Sequence, residues 1–177
     1  MTYFYKTVFR LLVALLFITG SQQLIAATFT VTNTNDSGPG SLGDAITQAN
    51  GNGVADDIVF NIPGTGPFTF NLLSSLPAIS NNPLFINGYS QPGASAGPIA
   101  TRTILIEING GGILGGADDL LPIATSGVTV SGLAIYGGPY YAVTIGSPSL
   151  GSNLSNVHIW GNYIGTNATG TATGLGN

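Results

Sequence analysis

The chain has 177 residues, of which only 6% are charged, and its formal net charge is −4 at neutral pH. Lys6 and Arg10 lie within the first ten residues, so Arg102 is the only Lys or Arg that follows them, against seven acidic residues. This charge balance excludes a nucleic-acid binder, which needs a basic surface, and disfavours binding to an anionic membrane surface. The chain has no cysteine, so disulfides and thiolate zinc sites are excluded as well.

The first 26 residues are predicted to be a secretory signal peptide. Lys6 and Arg10 form a positive start, an uncharged apolar stretch follows at residues 11–18, and the segment closes on small residues at Ala26 and Ala27. The apolar stretch is too short to span a membrane. We therefore expect export to the cell surface or medium with no membrane span after cleavage, the alternative being an uncleaved N-terminal anchor.

Residues 27–55 are predicted to form an N-terminal cap made of a strand and a helix. The strand is expected at residues 28–32. The helix is expected at residues 41–50, where Ser41 and Asp44 have the spacing of a capping box. Leu42 and Ile46 lie on the apolar face of that helix. We expect this face to be buried, covering the first strands of the domain.

A short motif, apolar-x-apolar-x-Gly, recurs at intervals of 22 to 29 residues through the rest of the chain. Its alternation is typical of strands with one buried face, and further strands are expected at residues 68–72 and 141–145. This repeat predicts an all-β fold, a parallel β-helix solenoid over residues 56–177. One column of stacked inward side chains should contain the central residue of each copy: Ile62, Ile86, Ile108, Val130 and Ile159.

The last stretch of the chain, from Thr166 onward, is rich in Gly, Thr and Ala and shows no strand pattern. We expect it to leave the last coil uncovered. In that case the natural partners of this end are further β-helix coils of the same parent chain, or another molecule that pairs with the open edge. The residues after the signal, taken alone, are then expected to self-associate.

Several segments resemble the N-terminal region of bacterial secreted proteins with the pectin-lyase-like fold. These segments are residues 30–42 (TVTNTNDSGPGSL), residues 86–93 (INGYSQPG) and residues 162–170 (NYIGTNATG). The resemblance implies a right-handed β-helix in a cell-surface, adhesin-like protein. Gly43 departs from the pattern, which usually has Arg at this position, so the cap is expected to be weaker.

Polysaccharide lyases and glycoside hydrolases also have this fold, so an enzyme is an alternative if the chain contains the residues that such catalysis needs. Arg102 is the only base of the lyase type. Hydrolysis needs two carboxylates that face each other, whereas Asp56-Asp57 and Asp118-Asp119 are adjacent and would point to opposite faces of a strand. We therefore predict no catalytic residue and no cofactor. A weak Ca²⁺ contact at the second pair is left open.

Aromatic residues give the strongest indication of binding. In the last copy of the motif, His158 and Trp160 should point outward when Val157 and Ile159 point inward. An outward Trp beside several Tyr can stack on sugar rings, which predicts a carbohydrate-binding surface at His158, Trp160, Tyr163, Tyr136 and Tyr140. The favoured function is a structural and glycan-binding, adhesin-like segment. The alternatives are an N-terminal part of a polysaccharide lyase or hydrolase, a passive stalk, and a Trp160 buried under a loop.

Overall fold

A computed structural model describes residues 25–80, 83–115, 119–146, 153–172 and 174–176. The predicted signal peptide therefore lies outside the described residues, apart from its last two, and Asp118 lies outside them too. One α-helix and one short 3₁₀ helix, Gly88–Ser90, accompany the strands. In chain order the elements are β1 (Thr28–Val31), α1 (Leu42–Asn50), β2 (Asp56–Phe60), β3 (Phe68–Asn71), β4 (Leu84–Asn87), β5 (Ile106–Asn109), β6 (Leu121–Ile123), β7 (Thr129–Ser131), β8 (Leu133–Tyr136), β9 (Val143–Ile145), β10 (His158–Trp160) and β11 (Tyr163–Ile164).

The strands form three separate sheets with parallel pairing throughout. Sheet A has the order β1-β2-β4-β7-β10, sheet B has the order β11-β8-β5-β3, and sheet C pairs β6 with β9. Neighbouring strands are distant in the sequence: β4 pairs with β7 although β5 and β6 lie between them. Parallel pairing requires such long connections.

The predicted all-β, right-handed β-helix solenoid is wrong as stated. Within the described ranges the arrangement is α/β-like: eleven strands in three parallel sheets, together with a helix, and the sheets do not close into a solenoid. The helix contributes to the same core as the sheets, since Leu42, Ile46 and Ala49 are buried among strand residues. Parallel pairing is the part of the prediction that the structure retains.

The prediction that five side chains stack in a single column is also wrong. Ile86, Val130 and Ile159 are in register across sheet A, but the fourth member of their row is Ile58. Ile62 lies beyond the end of β2, where its backbone N–H and C=O bond to the side chain of Gln91, at 2.9 Å each, instead of to a strand. At the first copy of the motif, the side-chain amide of Gln91 therefore takes the place of a neighbouring strand as hydrogen-bond partner.

The third copy of the motif belongs to a different sheet. Ile108 pairs with Phe70 and Ile135 in sheet B. The even spacing of the motif along the chain therefore combined strands from two sheets, because a period-2 alternation looks the same whichever sheet buries the strand. Both rows face one shared hydrophobic core, in which Ile58, Ile86, Val130, Phe70 and Ile108 are fully buried.

The helix and its N-terminal cap are as predicted. Ser41 Oγ accepts a hydrogen bond from the Asp44 N–H at 3.1 Å, and the Asp44 carboxylate accepts one from the Gly40 N–H at 3.1 Å. The first bond satisfies a donor that the first turn of the helix leaves free, and the second ties the residue before the N-cap to that turn. Leu42 and Ile46 are 1% and 0% exposed, and α1 contacts β1 and β2. The predicted apolar face therefore covers the first strands.

The segment after β11 packs back onto sheet B and does not simply lead away from it. The Ala168 N–H donates to the Glu107 carboxylate at 2.7 Å, and the Gly137 N–H donates to the Leu175 carbonyl at 3.1 Å. Side chains at this end remain partly uncovered, since Trp160 and Ile164 are 50% and 53% exposed. The segment thus covers the outer face of sheet B while apolar side chains beside it stay accessible.

Candidate functional site

Strand β10 presents two side chains to solvent. Ile159 is half-buried and packs against the core, whereas His158 and Trp160 are exposed. This is the alternation expected for a strand with one buried face. The outward position of both residues agrees with the sequence-based expectation. Trp160 is not buried under a loop, since half of its surface is accessible.

Tyr89 supports Trp160 from the neighbouring part of sheet A. It lies in the 3₁₀ helix that follows β4, and its ring centroid is 6.0 Å from that of Trp160, with the two planes inclined at 34°. The Tyr89 hydroxyl donates a hydrogen bond to the Gly161 carbonyl at 2.5 Å. A tilted pair of this separation is a favourable aromatic geometry. The hydrogen bond ties Tyr89 to the backbone beside Trp160, and the ring contact packs Tyr89 against the indole.

Two motif glycines make room for Tyr89. Gly132 has φ +74°, and a Cβ there would lie 2.6 Å from the Tyr89 backbone nitrogen. Gly161 has φ +65°, and a Cβ there would lie 2.8 Å from the Tyr89 hydroxyl oxygen. Both the left-handed backbone and the close approach favour glycine. The glycine that ends each strand therefore also positions the aromatic pair.

Arg102 and Tyr163 complete what we call the aromatic cluster: Tyr89, Arg102, Trp160 and Tyr163. The Arg102 guanidinium carbon lies 5.7 Å from the Tyr163 ring centroid, within the range of a cation–π contact. Burial raises the pKa of the Tyr89 hydroxyl, and the charge of Arg102 opposes that rise. The Tyr89 hydroxyl therefore stays protonated at neutral pH. Because Arg102 is the only Lys or Arg after residue 10, its charge is concentrated at this cluster.

Two of the predicted carbohydrate-binding residues are not brought to the cluster. Tyr136 is only 8% exposed, and its hydroxyl donates to Glu107 Oε2 at 3.1 Å. Burial, followed by the charge of Glu107, raises the pKa of Tyr136 to about 12. Tyr140 is exposed but lies just before sheet C, where its ring contacts Tyr141 at a centroid distance of 4.2 Å. The structure thus unites Trp160 and Tyr163 and places His158 on the same strand as Trp160.

The adjacent acids Asp56 and Asp57 do not supply two carboxylates to one face of their strand. Asp56 is buried and Asp57 is exposed, as expected for neighbours on a strand. Of the second acidic pair, Asp119 is half-buried and Asp118 lies outside the described residues. Within those residues, no three His, Cys, Asp or Glu side chains are grouped so that they could hold a metal ion.

Sequence reasoning missed two residues of functional or structural weight, Tyr89 and Glu107, and considered Arg102 only as a base of the lyase type. Tyr89 directly follows a motif glycine, so its place after β4 was a usable signal. Glu107 had no such signal. It faces outward on β5 and is nevertheless only 7% exposed, because Thr69, Tyr136 and the backbone of Ala168 enclose its carboxylate.

No protein-family model matches the chain, and neither a curated protein nor a solved structure is significantly similar to it. The resemblance to secreted pectin-lyase-like proteins therefore stays a prediction. Among the residues that the structure describes, no helix is both long enough and apolar enough to cross a membrane.

Proposed function

We propose that this chain is an exported extracellular or cell-surface protein that binds polysaccharide through the aromatic cluster. The observation that carries the proposal is Trp160, an indole half exposed to solvent and packed against the ring of Tyr89, whose hydroxyl bonds to the next backbone carbonyl, that of Gly161. A fixed indole face offers a sugar ring apolar contact without a large loss of side-chain entropy on binding.

The groups around Trp160 suit a sugar. His158 lies two residues away on the same outward face of β10, and its partner in the register of sheet A is Thr129. Imidazole and hydroxyl groups can each exchange hydrogen bonds with sugar hydroxyls. Arg102, above Tyr163, gives the cluster one positive charge, which would favour a glycan that carries carboxylates over a basic one.

Export is supported by the sequence of the first 26 residues, with its positive start, short apolar stretch and small closing residues. The low content of charged residues also fits an extracellular protein whose surface polarity comes from Asn, Ser and Thr. Asp56 and Asp57 point to opposite faces of β2, so this pair gives no support to the hydrolase alternative.

Binding to a panel of neutral and uronic-acid polysaccharides, measured by affinity gel electrophoresis and by quenching of Trp160 fluorescence, tests this proposal. Trp160 is the only tryptophan, so its fluorescence reports the site alone in the proteins that keep it, and binding by Trp160→Ala is measured by affinity gel electrophoresis. Trp160→Ala should weaken binding at least tenfold, about 1.4 kcal/mol. Tyr141→Ala is the matched control, because Tyr141 is an aromatic residue of similar exposure that lies just before β9, away from the aromatic cluster. This variant should bind polysaccharide as tightly as the wild type does. Equal binding by all three proteins, or by none, would contradict the proposal.

A further inference from the structure

Asp56 is a buried carboxylate with an incomplete set of partners. It begins β2 and is only 4% exposed. Its Oδ1 atom accepts a hydrogen bond from the backbone nitrogen of Ala27 at 2.8 Å. Its Oδ2 atom is buried and has no hydrogen-bond partner among the described residues. An ionised carboxylate buried with a single neutral donor is costly, which points to a missing cation or donor.

Ala27, whose nitrogen faces this carboxylate, is also the first of the described residues that pairs with β2. The Ala27 carbonyl accepts from the Asp57 N–H at 2.9 Å, and the paired register of β1 with β2 starts at the next residue, Thr28. On the other side of Ala27 the chain is exposed, with Ile25 77% accessible. Ala26 lines a shallow cavity of about 270 Å³ together with Asp56 and Asp57. The ordered ladder thus begins where the predicted signal peptide ends.

We propose that the chain is cut between Ala26 and Ala27, and that the new α-ammonium group of Ala27 is the ion partner of Asp56. The inference rests on the export assigned under the proposed function. In the cut, a signal peptidase of the exporting cell adds water across the peptide bond: the C–N bond breaks, Ala26 keeps the carboxylate, and the nitrogen of Ala27 becomes an ammonium. The same nitrogen atom that donates one hydrogen as an amide then has three hydrogens and a positive charge.

The ammonium completes the site in a way that the amide does not. One hydrogen can stay on Oδ1, already 2.8 Å away, and a second can reach the unpartnered Oδ2 of the same carboxylate. Charge-assisted hydrogen bonds of this kind are about twice as strong as neutral ones. The positive charge of the half-buried ammonium would also offset part of the cost of burying the Asp56 carboxylate, which a neutral amide does less well.

The geometry selects this bond over its neighbours. A cut after Ala27 would remove the one donor that the described residues offer to Asp56, and both carboxylate oxygens would then lack a partner among them. A cut before Ala26 would place the ammonium on an exposed residue and leave the Ala27 nitrogen as an amide. Of these three possible N-terminal residues, only Ala27 would place the new α-ammonium group beside the buried Asp56 carboxylate.

The experiment uses the full chain, produced with its own leader in an exporting bacterial host. Intact mass and N-terminal sequencing should give a protein that begins at Ala27. Since Lys6 is the only lysine, the α-amine of that protein is then its only primary amine. A succinimidyl ester at pH 8 should label it at least tenfold more slowly in the folded protein than in urea, and Asp56→Asn should restore most of the labelling rate.

Asp57→Asn is the control, because it removes the same charge from the adjacent but exposed side chain; its labelling rate should equal that of the wild type. If Asp56→Asn does not fold, the comparison of folded with urea-unfolded wild type still decides. A start other than Ala27, or an amine labelled equally fast in the folded and unfolded protein, would overturn the inference while leaving export intact. A protein that keeps its leader in the cell would overturn both, and the mass distinguishes the two failures.

Discussion

Glu107 offers a sharp test of what holds the last segment of the chain to sheet B. Its Oε2 accepts hydrogen bonds from the Thr69 hydroxyl at 2.8 Å and the Tyr136 hydroxyl at 3.1 Å, and its Oε1 accepts one from the Ala168 N–H at 2.7 Å. Hydrogen bonds to a charged group contribute about 1.5–3 kcal/mol each. The carboxylate itself is buried, which opposes that gain.

Two substitutions separate these effects. Glu107→Gln keeps an oxygen for the Ala168 N–H, and its amide can donate to the two hydroxyls once they rotate, so the free energy of unfolding should fall by under about 1 kcal/mol. Glu107→Ala removes all three acceptor contacts and leaves a cavity, so the free energy of unfolding should fall by about 2–4 kcal/mol. The Ala168 amide should also exchange with solvent faster in the Ala variant.

Urea unfolding followed by the fluorescence of Trp160 measures both values. Asp57→Ala is the matched control, since it removes an exposed strand carboxylate and should change the free energy of unfolding by no more than about 0.5 kcal/mol. If Glu107→Ala unfolded at the wild-type urea concentration, the hydrogen bonds would not be holding the segment. If Glu107→Gln were as unstable as Glu107→Ala, the charge would matter more than the bonds, and the reasoning above would be wrong.

Two further outcomes follow from the geometry. The pKa of Tyr136 is raised to about 12 in the folded protein, so its contribution to the free energy of unfolding is complete below pH 10 and is lost as the pH rises through 12. The free energy of unfolding of the wild type should therefore fall by up to about 3 kcal/mol over that window. In unfolding experiments at pH 8 to 12, Tyr136→Phe should show a smaller dependence of this free energy on pH. Parallel curves would contradict this. Gly132→Ala should lower the free energy of unfolding by about 3 kcal/mol or more and reduce glycan binding, because the added Cβ would lie 2.6 Å from the Tyr89 backbone nitrogen. Gly53 has the same φ of +74°, but a Cβ there would meet nothing within 4 Å, so Gly53→Ala should lower the free energy of unfolding by only about 1 kcal/mol. Equal losses in both variants would show that the backbone angle alone matters.

The sequence by itself determined the local features of this protein. The capping box at Ser41 predicted helix α1, and the alternation in residues 157–161 predicted that His158 and Trp160 face outward. Both are set by neighbours a few positions away, through the geometry of one helical turn or one pleat. The burial of Asp56 and its hydrogen-bond donor could not be predicted from the sequence, because alternation places adjacent acids on opposite faces of a strand without showing which face is buried.

Tertiary structure alone decided which strands meet. Ile108 joined sheet B and Ile58 took the place expected for Ile62, because a period of two marks a buried face without saying which sheet buries it. The site depends on the same long-range choices: the Tyr89 hydroxyl reaches the carbonyl of Gly161, 72 positions away, and Glu107 bonds to Ala168, 61 positions away. No local pattern encodes such contacts, since they exist only once the register of parallel strands has brought distant loops to one face.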